Sequence, residues 1–211
     1  SLACDTAVDS PITGPDVKLS IRAHLLYATT QPCDLLLQVE AIADAAQKCR
    51  QTRLMLDPQS TSWAISGEEE IGTRRWVTAG PRFECTYETR VDITRTVIDI
   101  ETLNETPRMQ IPSPVIKYVV PSRYCQSDLF LDFVAGQFGT LTGGALVCAM
   151  RNWINQTFTY DNAASDAGTT ATDSFASQAG VCRDYAHVLI ALVRAAGIPA
   201  RFVSAYAPDV V

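Results

Sequence analysis

From Phe83 to Ile93 the chain alternates without a slip. Phe83, Cys85, Tyr87, Thr89, Val91 and Ile93 take one side, and Glu84, Glu88, Arg90 and Asp92 take the other. A side-chain period of two over this length fits a half-buried β-strand and no helix. The pattern recurs in Val17, Leu19, Ile21, Ala23, Leu25 and Tyr27, and again in Cys33, Leu35, Leu37, Val39 and Ala41. Turn-forming stretches, Asp57-Pro58-Gln59-Ser60 and Ala79-Gly80-Pro81, separate such runs. After a tail over 1–14, residues 15–106 are therefore expected to form an antiparallel β-sandwich-like domain.

Four prolines, Pro107, Pro112, Pro114 and Pro121, mark 107–122 as the expected linker. Beyond it the period changes to that of helices. Ser127 is placed to cap a helix with Leu129, Phe130, Phe133, Val134 and Phe138 on one face. Gly136, Gly139, Gly143 and Gly144 then punctuate the chain without matching a phosphate-binding loop. A second helix carries Leu146, Val147, Met150, Trp153, Ile154 and Phe158. The stretch 161–173 is small and polar and reads as a loop. A third helix is predicted from Cys182 to about Ala196, stopped by Gly197-Ile198-Pro199, with a strand over 200–206. The fold class is α+β, with helices and strands of a second domain over 123–211.

With 211 residues the chain is long enough for one large or two small cores. Its formal net charge of −6 argues against a broad nucleic-acid footprint, which needs clustered Lys and Arg. No apolar run reaches the length of a bilayer-crossing helix, so no membrane partner is expected. The seven cysteines show no C-x-x-C pair and no clustering with His, so no metal is expected. Scattered thiols in a chain of this size suit a reducing compartment, and the cytoplasm is the expected location. A Cys33–Cys49 disulfide is the alternative for an exported protein.

Cys182 stands apart. The predicted third helix is apolar nearly all round (Val188, Leu189, Ile190, Leu192 and Val193 among others), which places it inside its domain. Cys182 opens it, directly after Gly180-Val181. The first turn of a helix offers unpaired N–H groups and the positive end of the helix dipole. Both favour a thiolate, and the same N–H groups can hold an oxyanion. An ordinary core thiol is the competing reading; the preceding glycine and the helix-start position argue against it, and position alone leaves both readings open.

The run Gly180-Val181-Cys182-Arg183-Asp184-Tyr185-Ala186-His187, continued by Arg194-Ala195-Ala196-Gly197-Ile198-Pro199-Ala200-Arg201-Phe202-Val203-Ser204-Ala205-Tyr206, resembles the core signature of bacterial transglutaminase-like proteins. Upstream, Trp153-Ile154 and Phe158-Thr159-Tyr160 are similar too, and the β-rich half resembles the domain that often precedes this core. The resemblance implies a papain-like fold and cysteine-dependent cleavage or transfer of amide bonds in a peptide or protein substrate. Cys182 would be the nucleophile and no cofactor would be needed. Asp184 and His187 would be structural.

Such a thiol needs a His within hydrogen-bond reach. His187 follows Cys182 by five residues on the same helix, roughly 140° around the axis and about 7.5 Å along it. His24 lies on the polar face of a strand. In the resembling family the His and Asp follow the strand that ends near Tyr206, so the core is expected to be incomplete at Val211. Either the protein continues, or a partner supplies these groups, or the site is inactive. Hydrolysis is expected, with protein cross-linking by transamidation and an inactive binding module as alternatives. Tyr160 is a candidate for the substrate cleft. The oligomeric state is not readable.

Overall fold

The computed structural model describes residues 12–13 and 17–206. The expected tail over 1–14 falls almost wholly outside them, as do Cys4 and Ala207 to Val211. The chain forms two compact units, divided between Ile98 and Asp99.

In the first unit, β1 (Ile12–Thr13) pairs with the short β8 (Thr96–Val97). The body consists of two antiparallel sheets. One has β7 (Arg82–Ile93) between β2 (Val17–Ala28) and β4 (Gln47–Leu56). The other has β6 (Thr73–Ala79) between β3 (Cys33–Leu37) and β5 (Thr61–Ser66). On β7 the side predicted to face inward is buried at all six positions, because this central strand is covered on one face and wet on the other. Phe83 and Cys85 of one sheet share a core with Leu37, Val77 and Ala79 of the other. The buried Tyr87 keeps its hydroxyl satisfied by accepting the Ala41 N–H at 2.9 Å. The alternation read over 33–41 stops being a strand after Leu37.

The second unit contains α1 (Ser113–Ile116), α2 (Leu131–Phe138), α3 (Gly143–Thr157), α4 (Ala171–Ser177) and α5 (Cys182–Ala195). A short parallel pair joins β9 (Thr159–Tyr160) to β10 (Ala179–Gly180). Val188, Ala191 and Leu192 of α5, Met150 and Ile154 of α3, and Val134 of α2 form one core. Around it Phe133, Trp153, Phe158 and Phe175 meet ring against ring at centroid distances of 4.8 to 5.9 Å.

Four expectations change here. The segment 107–122 is not a linker, because it packs within the second unit: Tyr118 O accepts the Ala200 N–H at 3.0 Å and Val120 O accepts from Arg194 at 3.1 Å. The boundary lies earlier because residues 100–103 press on the start of α3. A Cβ on Gly144 would stand 1.6 Å from Ile100 O, so the glycine pair serves backbone approach as well as helix punctuation. Leu129 does not join the α2 stripe; a 3-10 turn over Ser127–Phe130 rotates it out, leaving it 65% exposed. Residues 201–206 form no strand, since they have no ladder partner among the described residues.

Candidate active site

Two backbone devices fix the ends of α5. At its C-terminus Gly197, with φ of +87°, donates to Arg194 O at 2.8 Å, and Ile198 donates to Val193 O at 3.1 Å. This is the glycine-dependent Schellman stop that Gly197-Ile198-Pro199 announces. At the N-terminus Val181 is extended, and its carbonyl accepts the N–H groups of Asp184 (2.9 Å) and Tyr185 (3.2 Å). The N–H groups of Cys182 and Arg183 have no acceptor within a helix that starts here.

Cys182 is the first residue of α5 and is exposed. All six described cysteines are free thiols, so Cys33 and Cys49 are not bridged. Cys85, Cys125 and Cys148 are buried, and Cys33 and Cys49 are half-buried. Burial pushes the Cys49, Cys85 and Cys125 thiols up, away from the reactive thiolate.

The approach to Cys182 is tied on both sides. Thr159 donates to Gln178 O at 2.8 Å and Asp161 to Gly180 O at 3.0 Å, which holds β9 beside β10. Tyr160 thereby pairs with Gly180 and remains 61% exposed, two residues from the thiol in the paired strand's register. The next side chain, Arg183, donates to Ser165 Oγ at 2.7 Å and Asp166 O at 2.8 Å. Asp166 in turn accepts from Gly168 and Thr169, and these bonds hold its carboxyl below the usual range. The expected loop over 161–173 is thus a built turn running into α4, whose capping box of Thr170 and Asp173 sequence reading passed over. The Thr-x-x-Asp spacing was its available signal.

Both histidines have partners of their own among the described residues. His187 is buried on α5, stacked on Tyr124 at 5.3 Å and set against Phe202 at 5.5 Å. His24 gives Nε2 to Glu84 Oε1 at 3.0 Å on β2. No cluster of His, Cys, Asp and Glu suited to a metal occurs among the described residues, and no single helix there is long and apolar enough to cross a membrane.

The part of the chain that carries the exposed Cys182 is similar to known proteins. Residues 134–210 match the model of the transglutaminase-like superfamily. This region is similar to a transglutaminase-like core. The chain also superposes on the crystal structure of "a Putative Cysteine Protease from Cytophaga hutchinsonii", with a TM-score of 0.81 and 28% identity over 89% of this chain. It spans 66% of that protein's length. No curated protein matches significantly. α5 with Cys182, the β9–β10 tie and the Arg183-anchored turn all fall inside the matched region.

Proposed function

We propose that Cys182 is the nucleophile of a cysteine-dependent hydrolysis or acyl transfer at amide bonds of peptides or proteins. The supporting observation is the exposed thiol at the start of α5, in a chain whose other described thiols are buried or half-buried. The thiolate adds to the amide carbonyl carbon, and the free N–H groups of the first turn face the oxygen that gains charge. The C–N bond then breaks and the amine leaves with a proton, giving a thioester on Cys182. Water resolves the thioester in hydrolysis; a second amine resolves it in transamidation. The general base and the carboxylate that orients it come from outside the described residues.

The test is incubation of the complete protein with a casein peptide digest, with and without monodansylcadaverine. Mass spectrometry then counts new peptide ends, deamidated Gln and dansylated Gln. New ends or deamidation that vanish in Cys182→Ala support the hydrolase, and Cys182-dependent dansylation supports the transamidase. Turnover that survives Cys182→Ala refutes both. An inactive binding module is the second reading, motivated by the engagement of His187 with Tyr124 and Phe202 away from the thiol. Total absence of turnover would select it.

A further inference from the structure

Asp184 is completely buried, yet its carboxylate has a sparse set of partners. Oδ2 accepts the Val181 N–H at 2.8 Å. Oδ1 has no hydrogen bond and lies 3.7 Å from Arg183 Nε, whose guanidinium is already committed to Ser165 and Asp166. Burying a carboxylate so thinly paired is unfavourable relative to leaving it in water. A cap made by a small neutral side chain would hold the helix start more cheaply. The carboxylate does something more specific. Val181 donates to Asp184 Oδ2 while the Val181 carbonyl accepts the Asp184 N–H, so both polar groups of the residue before Cys182 are held by one amino acid. Valine has no polar side chain to complete a reciprocal capping box, so Asp184 supplies the side-chain half of the cap by itself.

Gly180 completes the fit. Its φ of +155° suits glycine, and a Cβ there would stand 2.7 Å from Asp184 Oδ2 and 2.8 Å from Asp184 Cβ. The carboxylate therefore fills the space that glycine leaves open. With Gly180 O held by Asp161, the three residues Gly180-Val181-Cys182 are pinned from two directions.

We infer that Asp184 is a positioning residue which, through Val181 and against Gly180, sets the direction of the Cys182 thiol over the first-turn N–H groups. The inference rests on Cys182 being the reactive thiol. Because Cys182 is already exposed, loosening the corner adds no access; it moves the thiol relative to the first-turn N–H groups.

The experiment is the rate of carbamidomethylation of Cys182 by iodoacetamide, read by peptide mass spectrometry on the whole chain, with near-UV circular dichroism reporting the fold. In the wild type, Cys182 must react faster than Cys33 and Cys49; if it does not, the nucleophile reading itself fails. Given that result, Asp184→Ala is expected to slow Cys182 by at least about tenfold, with Gly180→Ala similar, since small displacements of a reacting group carry large rate penalties. The double variant should be no more than about twofold slower than the worse single one, because both break one device. Asp184→Asn keeps an oxygen for the Val181 N–H and should react within about threefold of wild type. A folded Asp184→Ala protein with a wild-type rate, or losses that multiply in the double variant, would overturn the inference. Should Asp184→Ala not fold, Asp184→Asn decides: retained reactivity supports positioning, and a tenfold loss overturns it.

Discussion

Arg194 Nη1 donates to Val120 O at 3.1 Å, tying the last turn of α5 to the proline-marked segment that precedes it by more than seventy residues. The same guanidinium reaches Ala200 O at 2.8 Å through Nε and Ser122 Oγ at 3.2 Å through Nη1. A cation near the carbonyl end of α5 is also favoured by the helix dipole. One buried side chain thus gathers the chain before the core, the helix that carries Cys182 and the segment that leaves it.

Replacing Arg194 by Leu should therefore unfold the second unit more easily. It leaves two carbonyls and a hydroxyl without their donor in a part-buried place, at a cost of about 1–3 kcal/mol. Arg194→Lys should recover less than half of this, since an ammonium cannot fork to three acceptors in fixed directions. Urea denaturation of both variants is the measurement, and a Lys variant as stable as wild type would contradict the forked role.

Thiol chemistry should be ordered by burial. In native buffer iodoacetamide should modify Cys182 before any other described cysteine. Cys85, Cys125 and Cys148 should stay unmodified until denaturant is added, because all three are buried and, for Cys85 and Cys125, burial also pushes the thiol up. Peptide mapping at increasing reagent exposure reads the order directly. Modification of Cys125 ahead of Cys182 would be incompatible with the placement of α5.

Much of this was legible in advance because it is local. Alternation on β7 needs no distant partner to be read, and the limits of α5 are written in Gly180-Val181-Cys182 and Gly197-Ile198-Pro199. What was not legible depends on contacts between distant segments. The proline-marked stretch looked like a linker because nothing in Pro107 to Pro121 reveals that Arg194 and Ala200 bind its carbonyls. Leu129 matched the helical stripe, but a tighter turn places it outside. The place of Cys182 at the start of α5 was visible from its motif, and Asp184 was read as structural by resemblance. Its hold on Val181 becomes apparent only when the buried carboxylate is followed to its single backbone donor.

Gly144→Ala should be destabilising out of proportion to one methyl group. The added Cβ would sit 1.6 Å from Ile100 O and 2.7 Å from Ile100 C, so backbone must move. The Gly144 N–H bond to Leu103 O, 2.8 Å long, would be strained with it. A helix-interior Gly→Ala change normally gains about 0.5–1 kcal/mol. Here a loss of about 1–3 kcal/mol is expected, as for overpacking. By contrast Gly136→Ala, whose Cβ meets nothing within 4 Å on α2, should be neutral or stabilising. Thermal melts of the pair provide an internal control, and equal shifts of the same sign would rule out close packing of 100–103 on α3.

The second unit should weaken in mild acid, and His187 is the reason. Its ring is buried between Tyr124 and Phe202, and burial holds its pKa below the ordinary 6.5; nearby Asp184 opposes this and Arg183 adds to it. As pH falls, the unfolded chain takes up the imidazole proton first, while the folded chain resists it. The stability His187 contributes is therefore complete above the unfolded value and is lost as pH drops through it towards the lower folded value. Urea midpoints measured between neutral pH and pH 5 should decline in the wild type, and His187→Gln should flatten that decline even if it lowers the midpoint at neutral pH. Carboxylates such as Asp166 and Asp173, which accept hydrogen bonds from the folded chain and are held low, titrate further down and leave this window to the histidine. An unchanged slope in His187→Gln would mean that the imidazole is free to ionise in the folded protein, and the stacked, desolvated ring would not describe it.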